Sequence, residues 1–151
     1  GLQFPSHVIL RPVFFMENLV APFSLQGDRL SSALGPSTRL QMIAVDDIGW
    51  FGARAFTDAA ALNRREIDIA SDVRTMPEAA EILTTALGRP IAFAQTPIEQ
   101  VRQYSEDTAL MLEWFEHVGY NADIAGLERE FGRPLTKLPD WARHHAQPSG
   151  C

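Results

Sequence analysis

His7-Val-Ile-Leu-Arg-Pro-Val-Phe-Phe-Met-Glu-Asn18 decides how this chain is read. Val8-Ile9-Leu10 is a continuous apolar run, not an alternation, which is the pattern of a parallel strand covered on both faces. Parallel neighbours are normally delivered by crossover helices. Six residues stand before His7 in this sequence, so the reading predicts neighbours supplied from elsewhere. The chain reads as the back half of an α/β enzyme, with Phe15 to Asn18 turning from the strand end into a short helix.

Working outward, Pro22 and Gly27 close the first helical stretch, and Asp28 to Arg39, with Gly35-Pro36-Ser37, reads as a loop or arm. Leu40 to Val45 is a second apolar strand. Asp46-Asp47 then open a helix predicted to reach about Ala61, with one of the two aspartates as its cap. Glu66-Ile-Asp-Ile69 alternates and predicts a short strand. Thr75-Met-Pro-Glu78 is a capping box with proline in the first turn, opening a helix that stops at Gly88. Ile91 to Ala94 is a strand. Thr96-Pro-Ile-Glu99 reads as a second capping box before a long helix to Gly119. Asn121 is the predicted cap of a helix ending at Gly132, and a last helix carries Pro139-Asp-Trp141 to His144-His145.

The 151 residues predict a single domain, residues 1–151. Apolar residues make up 46%, enough for a core, and the net charge is −6. Lys137 is the one lysine, and the arginines are scattered. That distribution argues against nucleic acid and anionic membrane as partners. No apolar run approaches the roughly 18 residues of a membrane span, and no secretory leader is recognisable. The single cysteine, Cys151, fits a reducing, cytoplasmic setting, with an intermolecular disulfide as the sharper reading of that tail thiol.

The chemical motifs are sparse. Gly49-Trp-Phe-Gly52-Ala-Arg-Ala55 has glycines in a G-x-x-G-x-x-A order, but Asp46 and Asp47 precede them. Glycines of a dinucleotide fingerprint must lie in the turn itself, where the backbone approaches the pyrophosphate at a helix N-terminus. Two aspartates at that terminus would repel a phosphate. Gly49 and Gly52 therefore read as a helix face suited to close packing. His7, His117, His144 and His145 give no i, i+4 metal pair, no serine sits in a G-x-S-x-G elbow, and no cysteine lies mid-chain. Glu113, Glu116, Asp123 and Glu128 read as solvated helix faces. Trp114, Phe115, Tyr120, Phe131 and Trp141 read as core between helices rather than as a ligand cage.

Ile9-Leu-Arg-Pro12 followed by Phe15-Met-Glu-Asn18 resembles the NmrA-like family of atypical short-chain dehydrogenases. Leu40-Gln-Met-Ile-Ala-Val-Asp-Asp-Ile-Gly49, the helix from Met76 to the L-G-R-P of Pro90, and Trp114-Phe115 through Tyr120-Asn-Ala-Asp-Ile124 resemble the same family in the same order. The likeness runs from about residue 7 to residue 145 and matches only the family's C-terminal half. It implies the substrate-side portion of a Rossmann-type fold, with few short strands and several helices. It also implies an N-terminal half that binds NAD(P) through a G-x-x-G-x-x-G loop, which this sequence does not contain. Enzymes of the family use a Y-x-x-x-K pair or a lone lysine; here Thr108 follows Tyr104 by four, Ile124 follows Tyr120 by four, and Lys137 falls elsewhere. No catalytic residue is carried over.

What does carry over is the segment beside the nicotinamide and substrate: Pro12, Phe14, Phe15, Met16 and Asn18. The same residues also read as an apolar strand end and a helix cap. Ligands of doubly wound sheets gather at carboxyl ends of strands, which favours the cleft reading. Two function classes follow. One is the substrate-binding half of an NAD(P)-dependent oxidoreductase, inactive alone and completed by an N-terminal half. The other is a non-enzymatic ligand-binding or regulatory module with a small apolar ligand, acting as a homo-oligomer. A homodimer would cover the Val8–Leu10 edge, with Gly1 to Asn18 at the interface and Phe14 and Phe15 as anchors.

Overall fold

Pro12 and Val13 divide what would be one strand into two, because the two pieces find different partners. The computed structural model describes residues 6–146. The tail thiol of Cys151 and the first five residues of the proposed interface segment lie outside the described residues. The strands are β1 (Ile9–Pro12), β2 (Phe14–Phe15), β3 (Leu25–Gln26), β4 (Arg29–Ser32), β5 (Leu40–Ile43), β6 (Glu66–Ile69), β7 (Asp72–Arg74) and β8 (Ala92–Gln95). The α-helices are α1 (Val45–Thr57), α2 (Ala59–Leu62), α3 (Met76–Leu87), α4 (Ile98–Tyr104), α5 (Glu106–His117), α6 (Ile124–Phe131) and α7 (Leu138–His145), with a 3-10 helix over Met16–Val20. This is the mixed α/β class that the sequence predicts.

Three small sheets result. β1 pairs β6 in parallel, with Ile9 opposite Glu66 and Pro12 opposite Ile69. β2 runs parallel to β5, which pairs antiparallel with β7. β3 and β4 form an antiparallel pair, and β4 runs parallel to β8. The parallel neighbour of β1 is thus supplied by the chain itself, through the α1–α2 crossover, where the sequence suggested a neighbour from elsewhere. Nor is β1 covered on both faces. Leu10, Ile67 and Ile69 turn inward toward Phe51 and Leu127, while Ile9 is 46% exposed and Arg11, Glu66 and Asp68 share its outer face.

Two apolar clusters hold these pieces. One gathers Met16, Leu40, Met42, Leu83, Phe115 and Trp141 between the β5 sheet and α3, α5 and α7. The α3 contribution is Met76, Ala79, Ala80 and Leu83, an i, i+3, i+4, i+7 stripe. The second packs Val13, Ile43, Phe51, Ile69 and Leu127 between β1, β6, α1 and α6.

The helix ends test the local grammar of the sequence. Thr75 and Glu78 form the predicted capping box, and Gly88 stops α3 with φ +64°. Gly132 ends α6 with φ +61°. Elsewhere the tertiary setting wins. Ala44 is the N-cap residue of α1 and neither Asp46 nor Asp47 caps it by side chain. Asp47 is fully buried and accepts from Thr136 N at 2.8 Å and Arg133 Nη2 at 3.3 Å. α1 stops at Thr57, and the separate turn α2 follows. Thr96 caps nothing: Pro97 is the N-cap position of α4, without a side-chain bond. The long helix is broken at Ser105, whose extended backbone and Oγ cap α5 instead. Asp123, not Asn121, caps α6 by accepting from Gly126 N. The supposed arm from Asp28 holds β4, tied down where Glu116 accepts from Gly35 N and Thr38 Oγ1.

Candidate functional site

The carboxyl end of β1 opens onto a cavity of about 340 Å³. Its sheet side is Arg11, Pro12, Val13 and Asp68; its far wall is Trp114, Tyr120 and Asn121. The wall exists because α5 ends at His117 and the chain reverses at Gly119. There φ is +69°, a conformation glycine adopts freely. The Gly119 N–H bonds back to Trp114 O at 2.9 Å. Gln41 on β5 then fixes the returning segment with two bonds, Nε2 donating to Ala122 O at 2.9 Å and Oε1 accepting from Ala122 N at 2.8 Å. A two-point amide bond of this kind sets both position and direction of the wall.

The wall is aromatic in depth. Trp114 and Tyr120 meet edge to face at 5.3 Å, Tyr120 lies 5.2 Å from Phe115, and Phe115 meets Phe14 at 6.4 Å. Trp114 stays 41% exposed, whereas Phe115 belongs to the core. Burial pushes the Tyr120 phenol above its ordinary value. On the sheet side Arg11 Nε donates to Asp68 at 2.6 Å and Nη1 to Glu66 at 2.7 Å. Asp68 first and Glu66 after it hold the guanidinium above its usual range. Two carboxylates around one guanidinium leave this rim net negative.

The five residues suggested by the sequence separate here. Pro12 lines the cavity. Phe14 is half-buried and backs the wall through Phe115. Met16 is fully buried in the core. Phe15 is 36% exposed at the end of β2, and Asn18 is half-buried in the 3-10 helix. The aromatic set separates too: Phe131 packs on Phe51 and Trp50, Trp141 is buried, and Trp114 reaches the cavity. Arg11 and Asp68 were not singled out in the sequence. Their signal is the alternation of β1 and β6, which becomes informative only once the parallel register sets Arg11 opposite Asp68.

Dinucleotide phosphate does not fit the glycine-bearing helix. Gly49 and Gly52 lie inside α1, and the Val45 N–H at its N-terminus is already taken by Glu17 Oε1 at 3.0 Å. The same Glu17 oxygen accepts from Trp141 Nε1 at 2.9 Å. Asp46 and Asp47 occupy the first turn and oppose an anion there. Among the described residues no group of three or more His, Cys, Asp or Glu could hold a metal ion, and no helix is long and apolar enough to cross a membrane.

Comparison with known proteins extends this picture. The chain is 30% identical over 149 residues to festuclavine dehydrogenase of Aspergillus fumigatus, covering 95% of this chain and 46% of that protein. It is 25% identical over 158 residues to the uncharacterised oxidoreductase YesF of Bacillus subtilis, covering 95% of this chain and 55% of that one. The chain thus spans about half the length of these relatives. Its fold matches an NADPH-dependent quinone oxidoreductase of Escherichia coli with a TM-score of 0.73 at 19% identity, over 92% of this chain and 55% of the other. The model of the NmrA-like family matches residues 3–145, nearly the whole sequence. On that match, the chain belongs to the NmrA-like family.

Proposed function

We propose that this chain is the substrate-binding half of an NAD(P)-dependent oxidoreductase, and that the cavity between β1 and the Trp114–Tyr120 wall receives a small apolar or aromatic substrate. One observation carries the reading: the cavity lies at the carboxyl end of a parallel strand, where α/β folds bind ligands, and its far wall is aromatic, with Trp114 and Tyr120. The aromatic wall offers the substrate an apolar face, and the Arg11–Asp68 pair with Asn121 and Tyr120 makes the opposite part of the cavity polar. The oxidoreductase names of the relatives agree with it.

The dinucleotide belongs, in this proposal, to a complementary half, because α1 opens on two aspartates with its Val45 N–H already taken by Glu17. NAD(P) supplies the hydride chemistry when bound. This chain's residues bind and orient: Trp114 offers a face to the substrate, and Tyr120 a hydroxyl at the cavity wall. Pro12 closes the sheet side. Of the five suggested residues, Pro12 faces the substrate in this proposal, Phe14 backs the wall through Phe115, and Met16 belongs to the core beneath it; Phe15 and Asn18 have no part in it.

Menadione, a small apolar quinone, is a suitable probe. Titrated into the chain, it should quench tryptophan fluorescence saturably, and Trp114→Leu should weaken binding at least tenfold. Equal binding by both proteins would remove the cavity from the mechanism. A saturable site that survives Trp114→Leu, on a self-associated chain, would instead favour a non-enzymatic regulatory module.

A further inference from the structure

The parallel register that sets Arg11 opposite Asp68 also brings Glu66 to the same face, because side chains alternate along a strand. Arg11 Nε is taken by Asp68 Oδ1 and Nη1 by Glu66 Oε2. Among the described residues no hydrogen bond reaches the second oxygen of either carboxylate. One guanidinium between two carboxylates leaves one negative charge in excess beside the cavity. A second, more open cavity adjoins the first and shares Asp68, Asn121 and Ala122 with it. Its guanidinium, Arg65, is held by Glu130, so it brings no uncommitted cation to Asp68.

Across the cavity stands Trp114, 41% exposed. The indole ring is the aromatic face that attracts cations most strongly. The two guanidiniums that lie over an indole, those of Arg54 and Arg133, both lie over Trp50, at 5.9 and 4.8 Å from its ring centroid. Among the described residues none lies over Trp114. A carboxylate with an unclaimed oxygen and an indole without a cation thus face each other across about 340 Å³. The aromatic wall keeps water from one side of this space, and a cleft with a low-dielectric wall concentrates the field of the charge on the other. An anion entering here would find only the remaining Nη2 of Arg11, with Asp68 and Glu66 beside it.

We infer that the cavity takes an aromatic organic cation, a ring system carrying a quaternary or protonated nitrogen, with its ring against Trp114 and its charge against Asp68. This rests on the proposed reading of the cavity as the substrate site and adds the charge of the substrate. Asp68 is then the residue that selects for that charge, and Arg11 is the internal competitor that limits how strongly it does so.

Two probes of the same two-ring shape test this: N-methylquinolinium, a permanent cation, and quinoline, uncharged at neutral pH. In calorimetric titrations of the chain the cation should bind at least tenfold more tightly, and the ratio should shrink as salt is raised. Asp68→Asn keeps the side-chain shape and removes its charge, and should cut the ratio at least fivefold. Arg11→Gln removes the competing cation and should raise the ratio at least threefold. General damage to the cavity would weaken both probes together and could not move the ratio in opposite directions. Both variants alter a half-exposed ion pair, so melting temperatures should hold; should one fail to fold, the other variant and the salt dependence of the wild-type ratio carry the test. Equal affinity for both probes overturns the inference, as does a ratio that survives Asp68→Asn or falls in Arg11→Gln. Trp114→Leu should weaken both probes, and cation binding untouched by it would place the cation outside the cavity and overturn the inference too. Menadione binding with no preference for the cation would refute the charge selection and leave the proposed site standing. Failure of menadione and both probes alike would remove the site, and the inference with it.

Discussion

Asp47 and Asp46 are neighbours with the same side chain and opposite circumstances. Asp47 is fully buried, accepting from the Thr136 backbone and from Arg133, whose guanidinium also lies 4.8 Å from the Trp50 ring centroid. Asp46 is 79% exposed and faces His145 across 3.5 Å. Removing a buried acceptor strands its donors, at about 1–3 kcal/mol for each unsatisfied group. Asp47→Ala is therefore expected to cost about 2–4 kcal/mol in urea unfolding, and Asp46→Ala less than about 0.5 kcal/mol. Equal losses would mean that both aspartates act through the helix dipole alone. The sequence suggested that one aspartate of the pair caps α1, and the structure does not bear that out. The sequence could not show that Asp47 instead accepts from a partner 89 residues away in the loop before α7, because cap and long-range acceptor use the same side chain.

At the scale of elements, the C-terminal α7 is attached less by its own propensity than by carboxylates from other segments. Asp72 accepts from Leu138 N at 2.8 Å. Glu128 accepts from Leu135 N at 3.0 Å and Lys137 Nζ at 2.9 Å, and Lys137 also reaches Ser71 O at 2.7 Å. Glu128 was read from the sequence as a solvated helix face; only the return of the chain through residues 133–138 gives it partners. The Leu135 N–H first, then the Lys137 bond, hold the Glu128 carboxyl below its ordinary value. A depressed folded pKa stabilises above the unfolded value of about 4.3 and loses that contribution as pH falls through the folded value. The stability gap between the wild-type chain and Glu128→Gln should thus be largest near pH 7 and shrink below about pH 4. Urea melts across pH 3–7 check this, and a constant gap would leave the shifted carboxyl without consequence. Helix ends set by local chemistry, such as Thr75–Glu78 and Gly88, were legible in advance. The break at Ser105 was missed although its signal is local: Ser105 Oγ accepts from Thr108 N, and Glu106 and Asp107 stand in the first turn of α5.

At the scale of the whole molecule, the phosphate-hostile start of α1 and the span of only about half its relatives point the same way. The chain alone should not bind NADPH or NADH with a sub-micromolar Kd in calorimetry. Tight binding would show that a cradle exists outside the glycine-bearing helix and would undo the division of labour proposed above.

By itself the sequence determined the class of fold, the family, and the helix ends and strands whose signals are local. The capping box at Thr75 placed the start of α3, and the two glycines closed α3 and α6 where they stand. The failure of Gly49 and Gly52 as a phosphate loop was likewise readable, because two adjacent carboxylates act within one turn. Only the tertiary structure decided that β6 returns to pair with β1, that Trp114 leaves the core while Phe115 stays in it, and that Arg11 meets Asp68 and Glu66. It also decided that Met16 is core and Pro12 is cavity wall, though both sit in one short motif. The physical reason is common to all of these: register and burial depend on groups tens of residues apart, and periodicity reports which side chains share a face without saying what that face will meet.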